Sequence, residues 1–395
     1  MKICVVALGK IGLPLAVQFA RSGHHVIGAD IDQRAVDLIN DGTAPFPGEA
    51  NLDEYLAEVM SDGSFRATTN TSDAVSASDV VVVVVPLIVD DNKHPDFRAL
   101  DAATADIARG LRPGTLVVYE TTLPVWTTRN RFAPALSAGS GLTLGTDLFV
   151  AFSPERVYSR RIFADLRRYP KLVGGIDDES EKRSAAFYEA VLQFDERSDL
   201  AKENGVWMLG SSEAAELAKL AETTYRDVNI AFANELAVFA ERSAIDVHQV
   251  IDACNSQPFS HIHSPGVAVG GHCIPVYPHF LLTNAPDALV PAAARRTNDA
   301  MPDRSIERLA ASFDSISGRR IVILGACYRG GVMETAFSGA FGLAEAIESR
   351  DAVALVHDPL FSDDDLRSMG FEPYHLGEPC DGAVVQADHV EYGTL

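Results

Sequence analysis

The chain has 395 residues, 47% of them hydrophobic and 22% charged, which fits a folded protein of two or three domains that buries a large core without disulfides. A formal net charge of −22 argues against DNA, RNA or an anionic membrane as the main partner, so an anionic ligand needs a local basic pocket. The five cysteines (Cys4, Cys254, Cys273, Cys327, Cys380) form no CxxC pair and no metal-ligand spacing, no apolar run approaches eighteen residues, and the N-terminus carries no signal-like segment; free thiols, no metal site and a cytoplasmic location are expected.

In chain order, residues 2–8 read as a buried strand, "GKIG" as a turn, and 13–22 as an apolar-faced helix stopped by Gly23. A second strand, "HHVIGAD", ends in Asp30. The run "SDVVVVVVP" at 78–86 is apolar on both faces, as in a parallel sheet. "GTLVVYET" and "LFVAFSPE" are further strands with helices between them. From Ser211 or Ser212, either of which can cap it, helical periodicity runs for about thirty residues. Its Ala-rich face at 213–240 suits a helix–helix contact, so a homodimer through this spine is expected. The βαβ pattern returns with "RRIVILGACYRGG", "FSGAFGLAEAIESR" and "DAVALVHDP", again strand, glycine turn, helix, strand and Asp (Asp358). The expected fold is α/β, with two Rossmann-like doubly wound parallel-sheet domains joined by a long central helix. The boundaries are 1–205 for a dinucleotide domain, 206–300 for a central helical domain and 301–395 for a second Rossmann-like domain.

The first turn keeps two glycines of the dinucleotide fingerprint, Gly9 and Gly12, with Ala7 where the first should stand. Gly9 lets backbone N–H groups approach a pyrophosphate at the helix N-terminus, and Gly12 permits close helix–strand packing. Asp30 can accept hydrogen bonds from a ribose 2′-hydroxyl and repels a 2′-phosphate, which favours NAD over NADP. A mononucleotide-binding or flavodoxin-like α/β fold would share the outline.

Several residues stand out beyond this turn. "ETTLP" at 120–124 and "SPERVYS" at 153–159 follow strands, where doubly wound folds place ligand contacts. Lys219 lies in the long helix with Thr223 one turn on. Cys273 sits in the glycine-rich, proline-bounded loop "SPGVAVGGHCIPVYPHF", where bare backbone leaves room for an approaching group. Alone, Lys219 reads as a solvated helix lysine, Glu155 as a loop carboxylate and Cys273 as a small buried filler. Together with NAD they suit one reaction class. A thiolate adds to an aldehyde, hydride loss gives a thioester, and water activated by a carboxylate releases the acid while a cation steadies the oxyanions.

The stretches "LGKIGLPLA", "ETTLPVWTTR", "SPERVYS", "AELAKLAETTYRDVNIAFANE", "GVAVGGHCIPV" and "RRTNDAMP" resemble, in order and over nearly the whole chain, the UDP-glucose/GDP-mannose dehydrogenase family. The resemblance implies oxidation of a sugar C6 alcohol through the aldehyde to the carboxylate, with two NAD reduced. It implies Cys273 as nucleophile, Lys219 as the cation at the C6 oxygen, and Thr122 and Glu155 around the hydrolytic water, with Glu155 as base and Thr223 assisting. It implies cofactor contacts from Gly9, Lys10, Ile11, Gly12, Asp30, Arg34, Pro86, Thr122 and Glu155. Substrate contacts are expected from Arg156, Val157, Tyr158, Lys219, Asn229, Gly270 and Arg329. "SPERVYS" leans toward a UDP-N-acetylhexosamine (gluco or manno), with UDP-glucose next. The six basic residues of 156–171 either offset the acidic bulk near a dianionic substrate or form a solvated face.

Five positions depart from the family pattern. Ala7 and Trp126 stand where glycines are usual, Thr223 where Asn is common, Tyr277 where Asp follows the Cys, and Ala336 where Arg is found. The Tyr277 and Thr223 changes leave two further readings: oxidation that stops at the aldehyde or is transient, and a nucleotide-sugar-binding protein without turnover.

Overall fold

The computed structural model describes residues 1–90 and 92–394 and divides into two compact units, Met1–Leu220 and Ala221–Leu395. The first unit carries β1 (Lys2–Val6), β2 (His25–Ala29), β3 (Phe65–Thr68), β4 (Val80–Val83), the hairpin strands β5 (Ile88–Val89) and β6 (Pro95–Asp96), then β7 (Thr115–Tyr119), β8 (Leu148–Phe152), β9 (Lys171–Gly175) and β10 (Val206–Met208). Its eight-stranded sheet runs β10-β9-β8-β7-β4-β1-β2-β3. Every strand pair from β3 across to β8 is parallel, as the apolar Val run implied: all four residues of β4 are buried. The chain winds outward from β1 to β3 and resumes on the other side of β1 at β4. The crevice beyond the ends of β1 and β4 is therefore the switch point where such sheets bind ligands.

The last two strands reverse direction. β9 pairs antiparallel with β8, Phe152 opposite Gly174, and β10 runs parallel to β9. The reversal carries the first residue of β9 to the rim where the parallel strands end. Phe19 of the helix Gly12–Arg21 and Phe187 of the helix Asp178–Val191 meet edge to face, ring centres 5.4 Å apart, in the core over one face.

The helix Ser212–Arg242, 31 residues long, is the expected spine, and Ala214 N–H donates to Ser211 Oγ at 3.2 Å, so Ser211 caps it. In the second unit, β11 (Arg320–Leu324), β12 (Val353–His357) and β13 (Gly382–Val385) form a parallel sheet of order β12-β11-β13. Ile321 and Ile323 pack under Leu343 and Ile347 of the helix Gly339–Glu348, while Val322 and Leu324 face Tyr374 and Tyr392. The "RRTND" segment is helical, with Arg295 and Asn298 buried: Arg295 Nη1 donates to Asp227 Oδ1 at 2.5 Å, and Asn298 Nδ2 to the same oxygen at 2.8 Å. Asn234 Nδ2 donates to Asn298 Oδ1 at 2.9 Å, and Asn234 Oδ1 accepts from Gly266 N–H at 2.9 Å, which anchors the start of the cysteine loop. No helix among the described residues is long and apolar enough to cross a membrane.

Candidate active site

The turn after β1 explains both the retained and the missing glycine. A Cβ on Gly12 would lie 1.9 Å from the Ala7 carbonyl oxygen, so only glycine fits there. Ala7 itself adopts φ 74°, the left-handed conformation that suits the glycine it replaces. A Cβ on Gly9 would meet nothing within 4 Å, so space lies open over the turn. The helix Gly12–Arg21 begins at Ile11 without a side-chain cap; Leu13 N–H donates to the Gly9 carbonyl at 3.1 Å, and the positive end of the helix faces the turn where a ligand anion would sit. Asp30, just beyond β2 and half-buried, accepts from Leu8 N–H at 2.7 Å and Asp32 N–H at 2.9 Å. Each of its oxygens keeps a lone pair for a ribose hydroxyl. Pro86 lies exposed beyond β4, and Lys10 and Arg34 are exposed around the same rim. These features fit a bound dinucleotide.

The ends of β7, β8 and β9 assemble a second group. Glu120 follows β7 and is 2% exposed; Thr122, two residues on, is also buried. Glu155 lies three residues beyond β8, half-buried, in the irregular segment after Pro154. Lys219 Nζ donates to the Glu155 carbonyl oxygen at 2.6 Å, and Lys219 is buried rather than solvated. Two residues that each look ordinary in the sequence, 64 positions apart, are thus brought together.

Lys171 and Tyr188 complete this group with Glu120; sequence reasoning, which notes Glu120 only within "ETTLP" and Lys171 only within the basic run, gives none of the three a role. Lys171, the buried first residue of β9, donates to Glu120 Oε2 at 2.8 Å and pairs with Glu155 Oε1. Tyr188 OH donates to Glu120 Oε1 at 2.5 Å, and its ring centre lies 4.6 Å from Lys171 Nζ. Burial pushes the Glu120 carboxyl up to about 8, against the pull of Lys171. Burial disfavours the Lys171 ammonium, but Glu120 and Glu155 outweigh it and hold its pKa above the ordinary value. The sequence signal was a lysine opening an otherwise apolar strand, "PKLVGG", together with the acid of "YETT".

The basic run 156–171 does not form one face. Arg161 pairs with Asp165, Arg167 with Asp195, and Lys171 is interior. Arg156 Nη1 donates to the Pro170 carbonyl at 3.3 Å, Val157 packs on the core, and Tyr158 is exposed.

In the second unit the cysteine loop is pinned through its glycines. A Cβ on Gly270 would come within 2.6 Å of Tyr328 Cβ, and Gly271, at φ 89°, donates its N–H to the Ala336 carbonyl at 2.9 Å. Ala336 makes this contact through its backbone, whatever its side chain. Cys273 is half-buried, and its carbonyl accepts from Tyr277 N–H at 2.9 Å as the helix Tyr277–Asn284 begins. His272 Nε2 lies 3.6 Å from Glu334 Oε2. Asn229 holds a neighbouring loop: Nδ2 donates to the His261 carbonyl at 2.6 Å and Oδ1 accepts from His263 N–H at 2.8 Å. Arg329 is exposed near the Tyr328 ring, and Thr223 is fully buried in the spine helix.

Trp126 also occupies left-handed backbone, φ 68°, where the family pattern has glycine. The bend is held by Glu216, whose carboxylate accepts from Trp126 N–H at 2.7 Å and from Thr128 N–H and Oγ1 at 2.8 and 2.7 Å. Among the described residues, Cys327, Asp358 and His389 form a buried trio of possible metal ligands. Hydrogen bonds already engage them. Asp358 Oδ2 accepts from Ala326 and Cys327 N–H and from His389 Nε2, while burial and the Asp358 carboxylate push the Cys327 thiol up to about 12.

Two family models match the chain: the NAD binding domain of the UDP-glucose/GDP-mannose dehydrogenase family over residues 1–192, and the central domain of that family over residues 213–301. A UDP-N-acetyl-D-mannosamine dehydrogenase of Pyrococcus horikoshii is 34% identical over 402 residues, covering 100% of this chain and 91% of the relative. The solved structure of a UDP-N-acetylmannosamine dehydrogenase from that organism superposes with a TM-score of 0.87 at 32% identity, over 100% of this chain and 91% of the other. A UDP-glucose dehydrogenase from Pyrobaculum islandicum gives a TM-score of 0.88 at 25% identity, with the same coverage.

Proposed function

The chain belongs to the UDP-glucose/GDP-mannose dehydrogenase family and has its NAD-binding domain, and from that premise we propose that it oxidises the C6 alcohol of a UDP-N-acetylhexosamine to the uronate. The manno sugar is favoured by the Pyrococcus relative. UDP-glucose is the second reading, motivated by the Pyrobaculum likeness. The observation that carries the proposal is the Lys219–Glu155 contact at 2.6 Å, from the ammonium to the Glu155 backbone carbonyl, which brings together the two residues that would supply the cation and the carboxylate of this chemistry.

NAD, when bound, would supply the hydride acceptor at C6 for each of two oxidations. In the first, the alcohol loses its proton and the hydride and becomes an aldehyde. Cys273 thiolate then adds to the aldehyde carbon, giving a thiohemiacetal whose oxyanion Lys219 steadies. Loss of the second hydride leaves a thioester. Glu155 takes a proton from water as the water attacks the thioester carbon, and the C–S bond breaks to release the carboxylate and the thiol. Thr122 helps hold that water and Thr223 supports Lys219. Asp30, Gly9, Lys10, Ile11, Gly12, Arg34 and Pro86 hold the cofactor. Arg156, Val157, Tyr158, Asn229, Gly270 and Arg329 bind the sugar nucleotide.

The division into 1–205, 206–300 and 301–395 and a cytoplasmic location remain part of this proposal, as does a homodimer through the spine helix. That helix exposes Tyr225, Phe232 and Phe239, spaced by seven, at 55%, 51% and 66% of their surface. Sedimentation at micromolar concentration should give the dimer; a monomer there would overturn that part.

The test of the reaction is an end point. A limiting amount of one UDP-sugar with excess NAD should yield two NADH per sugar, and Cys273→Ser should abolish the second. One NADH per sugar in the unaltered protein would mean that oxidation stops at the aldehyde. No NADH with any sugar that binds would favour a binding protein.

A further inference from the structure

We propose that Lys171 is the positioning residue of the water-activating carboxylate. It holds Glu155 in place as the ion, and Glu120, on the far side of the ammonium, sets how much of that positive charge Glu155 receives. The inference rests on the reading of Glu155 as the base.

Glu155 lies in the irregular segment 153–158, where no helix or strand orients its side chain. Its backbone is tied at the carbonyl by Lys219, and its carboxylate by Lys171. Lys171 is itself immobile. It is buried, it begins a strand, its ammonium is 2.8 Å from Glu120 Oε2, and the Tyr188 ring lies beneath it. Glu120 is fixed in turn by Tyr188 OH. A cation this deep is not solvated by water, so its charge is divided between two carboxylates.

The division suits a base. Burial raises Glu120 to about 8, so above that pH one ammonium faces two ionised carboxylates and the buried site carries a surplus negative charge. When Glu155 takes the proton of the attacking water, the surplus disappears and a neutral Lys171–Glu120 pair remains. Lys171 thus holds the Glu155 carboxylate in place before the step, and Glu120 competes for the same ammonium. The other charged and titratable groups around Glu155 are Tyr188, Arg156, bonded to the Pro170 carbonyl, and Lys219, bonded to the Glu155 carbonyl. None is altered in the variants below.

The experiment measures steady-state kcat for the UDP-sugar 6-aldehyde across pH 5.5 to 9.5, with NAD binding followed by fluorescence to verify the folded turn. Lys171→Met should move the acidic limb up by about one pH unit or more, so that turnover falls about tenfold near neutrality and recovers at alkaline pH. Glu120→Gln should move the same limb down, by less, because Glu155 then has the ammonium to itself at every pH. Lys171→Arg should stay near the unaltered profile. Opposite displacements of one limb are what a merely structural role does not produce. Coincident profiles for Lys171→Met and Glu120→Gln would overturn the proposal, and if Lys171→Met does not fold, the Glu120→Gln displacement alone decides. Glu155→Gln separates this from the premise. It should give a burst of one NADH per chain and then stall as the thioester. If it turns over normally, the reading of Glu155 has failed; if it stalls while the other profiles coincide, only the role of Lys171 has failed.

Discussion

After β1 the chain turns through Ala7, at φ 74°, and Leu8 N–H donates to Asp30 beyond β2 at 2.7 Å. After β11 it turns through Gly325, at φ 106°, and the N–H groups of Ala326 and Cys327 donate to Asp358 beyond β12 at 2.8 and 3.0 Å. Both aspartates also accept from the N–H two residues on, Asp32 and Leu360, at 2.9 Å. Asp30 remains half-buried beside the open space over Gly9. Asp358 is 3% exposed because His389 Nε2 closes on it at 3.2 Å, while His389 Nδ1 accepts from Gly331 N–H at 3.3 Å. One sequence plan therefore serves a ligand in the first unit and locks the backbone in the second. A residue that arrives after β13 makes the difference.

Replacing the two aspartates tests this most strongly. Asp358→Ala strands two buried backbone donors and His389, and should cost about 3 kcal/mol of stability in denaturant unfolding. Asp30→Ala should cost about 1 kcal/mol, since its donors can turn to water, but weaken NAD binding about tenfold in a titration. Equal losses of stability would break the contrast.

One titratable group in each unit should also respond to pH, with opposite signs. Burial raises Glu216 in the first unit from 4.5 to about 7, so the folded form holds its proton more tightly. Its contribution is present below pH 4.5 and is lost as pH rises through 7. Burial lowers His357 in the second unit below 6.5, so its neutral form is favoured and stability is lost as pH falls below 6.5. Both tryptophans, Trp126 and Trp207, lie in the first unit, so fluorescence follows that unit alone. Between pH 7 and 5 the fluorescence-detected transition should rise relative to the one seen by circular dichroism. Glu216→Gln should remove the first movement and His357→Phe the second.

The smallest effect is at the turn residue. Ala7→Gly relieves about 1 kcal/mol of left-handed strain but frees the unfolded chain, for a net gain of about 0.5 kcal/mol in the fluorescence-detected unfolding. A loss would mean that the Ala7 methyl packs in a way its backbone angle does not reveal.

Much of the fold was legible because the signals are local. The Val run of β4, the glycine at 12 that a 1.9 Å approach demands, and the serine before the 31-residue helix each state their conformation within a few residues. The candidate site was legible only in part. Glu155, Lys219 and Cys273 stand in unusual stretches and drew attention through the chemistry they jointly permit. Glu120, in "ETTLP", and Lys171, in the basic run 156–171, stood in noted stretches without a role of their own, and Tyr188 stood in none, since a single polar residue in an apolar strand or helix carries no period of its own.

By itself the sequence determined the alternation of strands and helices and the dinucleotide turn with its aspartate, and it suggested one reaction class for the cysteine loop, the lysine and the glutamate. Those follow from side-chain chemistry and short-range spacing. The tertiary structure alone decided which carboxylates share a cation. β9 reverses against β8, so Lys171, at the start of its strand, reaches the rim where β7 and β8 end; a ninth strand in parallel would have left it at the opposite edge of the sheet. It alone decided, too, that Asp30 stays open while Asp358 is closed by His389. Strand direction and burial are properties of the whole packed sheet, and no local run of residues encodes them.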